Sequence, residues 1–498
     1  MMKRGWFIAS FAAFFTASMV CAETPKSLVR FDGLTRKTVA EIGMAGYDVA
    51  KAGPTFAEVV VDAQELKTLT KKAASVKTLI PDLDAYIASI LKKQKKGAEY
   101  YTFERMTSTL QSWAETYSSI ARLESIGKSC EGRDIWAMKV SDNPNLDEKE
   151  PAVIIMGAHH AREWISVEVP MAALKLYLES YGKDEKLTRL VNEREVWFVP
   201  MVNPDGVTFS QLKSKYWRKN RRNNGNNVFG VDLNRNYGYQ WGNVGASNSP
   251  SADTYHGTGP FSEPEAQAVK ALYEREHFQA GVSFHSYSEL ILYPFGYGYN
   301  IPCPDEATLN KLAKEMSAFN KYTPQNSAEL YPAMGDSDDW AYGDQKALAF
   351  TFELAKTFIP APTEIAGINN LNVPALMHLI DKAGTYAITT PTGNEELAAH
   401  LDLNDALQAI ADGNAILSAT TQESAKLAVS DRLLRVGKRA AELVAADMLN
   451  GSGAALEKLA SARGAGYVLP LLRARINFEI GHGAKIDGEM LRRLEAVR

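Results

Sequence analysis

Cysteine is scarce, three in 498 residues, and no spacing among Cys21, Cys130 and Cys303 resembles a zinc knuckle or a redox pair. A disulfide scaffold and cysteine-based chemistry are excluded. An excess of one charge sign is also missing. The 55 basic and 59 acidic residues, formal net charge −4, leave no whole-protein field to draw the chain to nucleic acid or an anionic membrane. Beyond the N-terminus no run is long and apolar enough to span a bilayer. After about Pro391 aromatic residues almost vanish: no tryptophan, one tyrosine (Tyr467) and one phenylalanine (Phe478). What is present, 45% hydrophobic and 23% charged residues, is ordinary globular composition in a length suited to two to four domains. Disorder, collagen and coiled coil are excluded as whole-chain readings.

The first residues carry Lys3-Arg4, an apolar run from Trp6 to Val20, and Val20-Cys21-Ala22, which suits signal peptidase cleavage after Ala22. The expectation is an exported protein, secreted or periplasmic. Cleavage would remove Cys21, and whether Cys130 and Cys303 pair stays open. From Leu28 to Ile80 the pattern reads strand, helix (Thr35 to Met44), short strand, strand (Phe56 to Asp62), helix (Ala63 to Ala74), strand (Val76 to Ile80), a small α+β unit. A helix from Pro81 then runs into the lysine-rich stretch Lys92 to Gly97, either a solvated helix end or a protease-sensitive linker. Between Tyr100 and Thr390 apolar strands at Ala152 to Gly157, Val196 to Val202, Ala280 to Phe284 and Leu348 to Phe352 alternate with amphipathic helices, the pattern of an α/β sheet covered on both faces. Such sheets place ligands at the carboxyl ends of their strands. Beyond Pro391 the texture is helical, with Leu427, Leu434, Ala441, Val444 and Met448 on one face and Asn450-Gly451 as a stop.

His160 and Glu163 lie three apart just after the strand that ends near Gly157, so both side chains can converge on one cation. A catalytic zinc takes three N and O ligands plus a water, and His285, just after the strand Ala280 to Phe284, is the third candidate. Taken alone, His-x-x-Glu is a frequent accidental pattern that an ion pair at a helix start would explain. The surrounding segments decide between the two: His160-Ala161-Arg162-Glu163-Trp164, Val202-Asn203-Pro204-Asp205-Gly206, Trp217-Arg218-Lys219-Asn220-Arg221, Gly230-Val231-Asp232-Leu233-Asn234-Arg235-Asn236, Thr254-Tyr255-His256-Gly257, Phe284-His285-Ser286-Tyr287 and Phe350-Thr351-Phe352-Glu353-Leu354. In order and spacing they resemble the zinc metallocarboxypeptidases of the carboxypeptidase A/B family. The resemblance extends less specifically to the N-terminal unit and does not cover the C-terminal region.

The resemblance implies a mixed sheet flanked by helices, and one Zn2+ held by His160, Glu163 and His285 with Asp232 orienting the first histidine. It implies Glu353 as general base and Arg221 as the cation for the oxyanion. Asn234 and Arg235 would clamp the substrate carboxylate, Tyr331 would close over the terminal residue, and Arg162, Arg218 and Tyr287 would bind substrate further along. Asp338, just before Asp339-Trp340, matches the pocket position that carries Asp in members preferring C-terminal Lys or Arg, with Asp336 as second candidate. His159, His256 and His277 are read as structural or surface residues. The expected organisation is a signal peptide at 1–22, a propeptide at 23–97, a catalytic domain at 98–390 and a helical domain at 391–498. Peptide or protein C-termini would be the substrates and a trypsin-like protease the activator. The rivals are a zinc amidase of the same fold acting on peptidoglycan stem peptides, an inactive binding module, and a protein whose C-terminal domain dominates.

Overall fold

The computed structural model describes residues 25–92, 99–299, 301, 303–386 and 388, and toward the C-terminus 407, 440–441, 443–449, 452–461, 468–481 and 487–496. The expected leader, the linker residues 93–97 and most of 391–439, including Leu427 and Leu434, lie outside them. In the N-terminal unit β1 (Ser27–Asp32), α1 (Arg36–Met44), β2 (Asp48–Gly53), β3 (Phe56–Val61), α2 (Ala63–Thr70) and β4 (Ser75–Ile80) are followed by α3 (Leu83–Lys92). The sheet is antiparallel in the order β2-β3-β1-β4. Thr35 caps α1, and an Asp62–Glu65 capping box starts α2. The sequence extends α2 to Ala74, but it ends at Thr70, where Lys71-Lys72 turn the chain into β4.

Strand alternation sorts this sheet into two faces. Val29, Phe31, Val49, Ala57, Val59 and Val61 pack with Val39, Ile42 and Leu69 of the helices. Leu28, Ala50 and Val60 point the other way and join the core of the following body. Asp48 and Glu58 share that second face by register. The sheet is therefore buried on both sides, once by its own helices and once by the larger body.

That body runs α4 (Phe103–Thr116), β5 (Ala121–Lys128), β6 (Asp134–Val140), β7 (Ala152–Gly157), α5 (Ile165–Ser180), α6 (Glu185–Glu193), β8 (Glu195–Val199), α7 (Pro204–Leu212), a 3-10 turn (Leu233–Arg235), α8 (Pro264–Glu276), β9 (Ala280–Ser286), β10 (Leu290–Tyr293), α9 (Glu306–Asn320), β11 (Thr323–Asn326), α10 (Ser327–Leu330), α11 (Ser337–Gly343), β12 (Leu348–Leu354) and α12 (Ile365–Lys382). Its eight strands form a mixed sheet in the order β11-β10-β12-β9-β7-β8-β6-β5. The central β12-β9-β7-β8 set is parallel, and β7 and β9 are buried along their whole length. Their unbroken apolar sequences follow, because helices cover both faces. Cys130 and Cys303 are both free.

Toward the C-terminus, the helical residues 440–441 and 443–449 pack with α13 (Ala454–Ser461), α14 (Val468–Gly481) and α15 (Gly488–Ala496). Ala441, Val444, Met448, Leu456, Leu459, Leu472, Ile476 and Leu494 form a core of their own.

Candidate active site

The site lies where the parallel strands end. After β7 the backbone passes through Ala158 at φ +53, a left-handed conformation that an alanine adopts only when its surroundings hold it there. His159 and His160 leave this turn in different directions. His160 Nδ1 stands 2.8 Å from Glu163 Oε1 and 3.1 Å from His285 Nδ1, and His285 Nδ1 stands 2.9 Å from Glu163 Oε2. All three residues are buried. Burial would raise the Glu163 carboxyl, but His160 and His285 outweigh it and hold the group well below the usual carboxylate range. Burial keeps His285 below an ordinary imidazole.

Zinc fits this donor set. Two imidazole nitrogens and one carboxylate are the three protein ligands of an open catalytic site, and zinc bonds of about 2.0–2.1 Å set tetrahedral neighbours about 3.3 Å apart, close to the separations here. Two Nδ1 atoms facing each other cannot both satisfy their lone pairs without a cation or proton between them. On its far side His160 Nε2 lies 3.1 Å from Asp232 Oδ1, and Arg218 donates to Asp232 Oδ2 at 2.8 and 3.0 Å. Asp232 thus fixes the His160 ring, as an outer partner of a metal ligand should.

Glu353 pairs with His285 in the parallel register of β12 and β9, which sets the two side by side at the sheet's carboxyl edge. Burial first, then the Glu163 charge, push its carboxyl well above the usual range. Asp232 also caps the 3-10 turn that presents Asn234 and Arg235. Arg235 donates from Nε to Gly245 O at 2.7 Å, from one terminal nitrogen to Asn234 O at 2.6 Å and from the other to Tyr331 Oη at 3.2 Å. Asn234 Oδ1 accepts from the Ser337 backbone at 2.9 Å, joining this turn to α11.

Of the three aspartates opening α11, Asp336 caps the helix through Asp339 N, and Asp339 accepts from Gly296 N and Tyr297 N. Asp338 is committed to no backbone donor among the described residues; its side-chain partners are the Thr351 hydroxyl and the Ser337 hydroxyl, the latter at 3.5 Å. Burial, then the Asp336 charge, raise Asp338 to about 8, and burial raises Asp336 to about 6.

Arg221 does not join this cluster. Its guanidinium lies 3.7 Å from the centre of the Phe209 ring, against Trp217 and Phe229, with Glu131 at 3.8 Å. The arginine beside the histidines is Arg218, three residues earlier. The expectation for Arg221 is corrected on geometry: the segment turns its fifth residue, Arg221, onto an aromatic shelf and its second, Arg218, toward Asp232.

The N-terminal unit enters the cleft. Both Asp48 oxygens accept from Arg162, at 2.6 and 2.7 Å, and Arg218 lies 3.7 Å away. Arg162 rests over Tyr216 and Phe358. Burial opposes ionisation of Asp48, but Arg162 and Arg218 hold it down at about 2. Tyr287 donates to Glu58 Oε2 at 2.9 Å, and Lys26 pairs with Asp253. A β-carbon added at Gly43 of α1 would come within 2.6 Å of Tyr331 Cβ, so the absence of a side chain there lets the helix lie against that tyrosine. Asp48, Glu58 and Gly43 carry no sequence signal, since each acts on a partner far along the chain. His256 is buried and bonded to Asn243, as a structural residue should be.

Two histidines and a glutamate at strand ends, a glutamate in register beside them and an anchored arginine fork define a zinc-hydrolase type of site. The family model described as zinc carboxypeptidase matches residues 106–375, and the chain belongs to that family. It is 35% identical over 285 residues to a zinc carboxypeptidase of Saccharothrix mutabilis subsp. capreolus, covering 54% of this chain and 65% of that relative. It is 33% identical over 269 residues to human carboxypeptidase B, covering 52% and 64%. The chain thus spans just under two thirds of these relatives' length. The solved carboxypeptidase A of Helicoverpa armigera superposes with a TM-score of 0.64 at 23% identity, over 72% of this chain and 98% of that one, a likeness of fold.

Proposed function

We propose that the protein is an exported zinc metallocarboxypeptidase, made as a zymogen, that removes single residues from peptide C-termini and favours Lys or Arg. The observation that carries the reading is the convergence of His160, Glu163 and His285 with Glu353 on one side and the Asn234–Arg235 fork on the other. A zinc held by the three ligands would polarise the scissile carbonyl and lower the pKa of a water. Glu353 accepts that water's proton and returns it to the leaving amine. Arg218, beside the ligand His160, donates to the oxygen that gains charge in place of Arg221. The Arg235 fork and Asn234 take the free carboxylate, which internal peptide bonds lack. Hydrolysis of a peptide panel varying only the C-terminal residue, before and after limited trypsin treatment, tests the reading; no release of C-terminal residues in either state would reject it.

Asp338 is the pocket group in this scheme. Because its pKa is raised to about 8, the empty pocket holds a neutral acid at pH 6, and a Lys or Arg side chain must displace its proton. Selectivity for basic over apolar ends should therefore rise between pH 6 and 9 and level off above. Asp338→Asn should lower the basic-to-apolar ratio of kcat/KM roughly 10- to 100-fold, the range for hydrogen bonds to charged groups, and remove its pH dependence. A parent enzyme that prefers Phe and Leu ends at every pH would sink this assignment alone.

Latency rests on the docked N-terminal unit. The fold match covers more of this chain than residues 106–375 supply, which supports counting that unit as part of the architecture. Asp48 holds the arginines that substrate would otherwise meet, so the intact chain should be inactive until cut near Lys92. Removing one partner of a buried ion pair costs about 3–5 kcal/mol, so uncut Asp48→Asn should show partial activity. A carboxyl lowered to about 2 contributes to docking above its free value and loses that contribution only as pH falls below about 4. Incubation at pH 5 should therefore leave the intact protein latent. Equal activity of intact and nicked protein on a small substrate would reject latency.

A further inference from the structure

His159 lies beneath the metal ligands with no exposed surface, and both ring nitrogens are engaged. Nδ1 is 3.0 Å from Ser283 Oγ, and Nε2 is 2.8 Å from Tyr237 Oη. Ser283 precedes His285 by two on β9, so strand alternation puts both on one face. Tyr237 follows the Asn234–Arg235 fork by two residues and packs its ring 5.4 Å from Trp340 of α11. Ser283 and Tyr237 are as fully enclosed as His159. The His159 ring also stacks on His285, centroids 5.6 Å apart and planes 12° apart, while His160 meets His285 edge-on. His160 has Asp232 to fix its outer nitrogen, whereas His285 Nε2, also buried, meets no such protein group among the described residues. The ring lying parallel to it is that of His159.

We propose that His159 is a positioning residue that sets the His285 ring through its face and ties β9 to the carboxylate fork through its two nitrogens. The proposal rests on the carboxypeptidase reading for its kinetic part and on the ligand geometry alone for its metal part. An ordinary core histidine would contribute stability only. The two roles separate by substitution. His159→Gln keeps a donor and an acceptor but loses the ring face; His159→Phe keeps the face but leaves both hydroxyls without their partner.

The full chain, nicked for turnover assays, is measured three ways: zinc release to a chromogenic chelator, the visible spectrum of the cobalt-substituted protein, and kcat and KM. His159→Gln should release zinc roughly 10- to 100-fold faster, the usual effect of losing an outer partner of a metal ligand, with an altered cobalt spectrum and a fall in kcat. His159→Phe should keep parental zinc release and cobalt spectrum while KM rises about 3-fold or more. Parental zinc release and spectrum in folded His159→Gln would overturn the proposal, even with a lowered Tm. Should both variants fail to fold, Tyr237→Phe removes a single oxygen. Raised KM with unchanged zinc release supports the tie to the fork, and unchanged KM overturns it. The metal readouts need no substrate, so a protein without peptidase activity whose metal site responds as described would refute the carboxypeptidase reading and leave the metal part standing.

Discussion

Glu353→Gln is expected to lower kcat by at least two to four powers of ten, roughly the span attributed to a general base, while zinc content and peptide binding change little. The substitution keeps the shape of the side chain at the end of β12 and removes its ability to take a proton. Its register beside His285 leaves no other carboxylate of β12 near the ligands. Burial and the nearby Glu163 raise this carboxyl, and a bound cation would act in the opposite sense. Turnover is measured on nicked protein, binding by displacement of a C-terminal peptide, and zinc by direct metal analysis. Near-normal turnover would remove Glu353 from the mechanism.

His285→Ala is expected to abolish turnover and zinc retention together. One of three protein ligands is lost, a larger change than losing an outer partner, which alone costs roughly 10- to 100-fold in affinity or activity. Stability supplies an independent readout. A ligand that binds only the folded state raises the apparent Tm in proportion to RT ln(1 + [L]/Kd). Chelation should therefore lower the Tm of the parent and leave that of His285→Ala unmoved. Full zinc occupancy in the variant would count against the ligand set.

How much could be read without coordinates depended on where each interaction sits along the chain. His160 and Glu163 were legible as candidate ligands because four consecutive residues of one turn carry both, directly after an unbroken apolar strand. His285 was legible as a third candidate ligand because it closes a strand whose hydrophobic run marks it as central, whereas Glu353 was singled out only by the family resemblance of Phe350-Thr351-Phe352-Glu353-Leu354. The arginines were not separable in this way. Trp217-Arg218-Lys219-Asn220-Arg221 offers two, and only the path of the segment between Phe209 and Asp232 decides that Arg218 faces the histidines while Arg221 stacks on aromatics. The three aspartates that open α11 posed the same difficulty, and the structure distinguishes them by which already serve backbone donors.

The sequence alone determined the alternation of buried strands with helices and the chemistry gathered at the strand ends, because hydrophobic period and metal-ligand spacing are local quantities. It also marked the N-terminal unit as compact, through its pattern of short strands and helices. Tertiary structure alone decided that this unit occupies the cleft. The Asp48–Arg162 pair joins residues 114 positions apart, and Tyr287–Glu58 joins residues 229 apart. Such contacts form when the outward face of one sheet, carrying Leu28, Ala50 and Val60, finds burial only against a second body. His159 shows the same division. A doubled histidine is visible in the chain, but whether the first of the pair is a surface residue or the floor beneath a metal ligand depends on β9 and the turn after Asp232 arriving on either side of it, which no local pattern encodes.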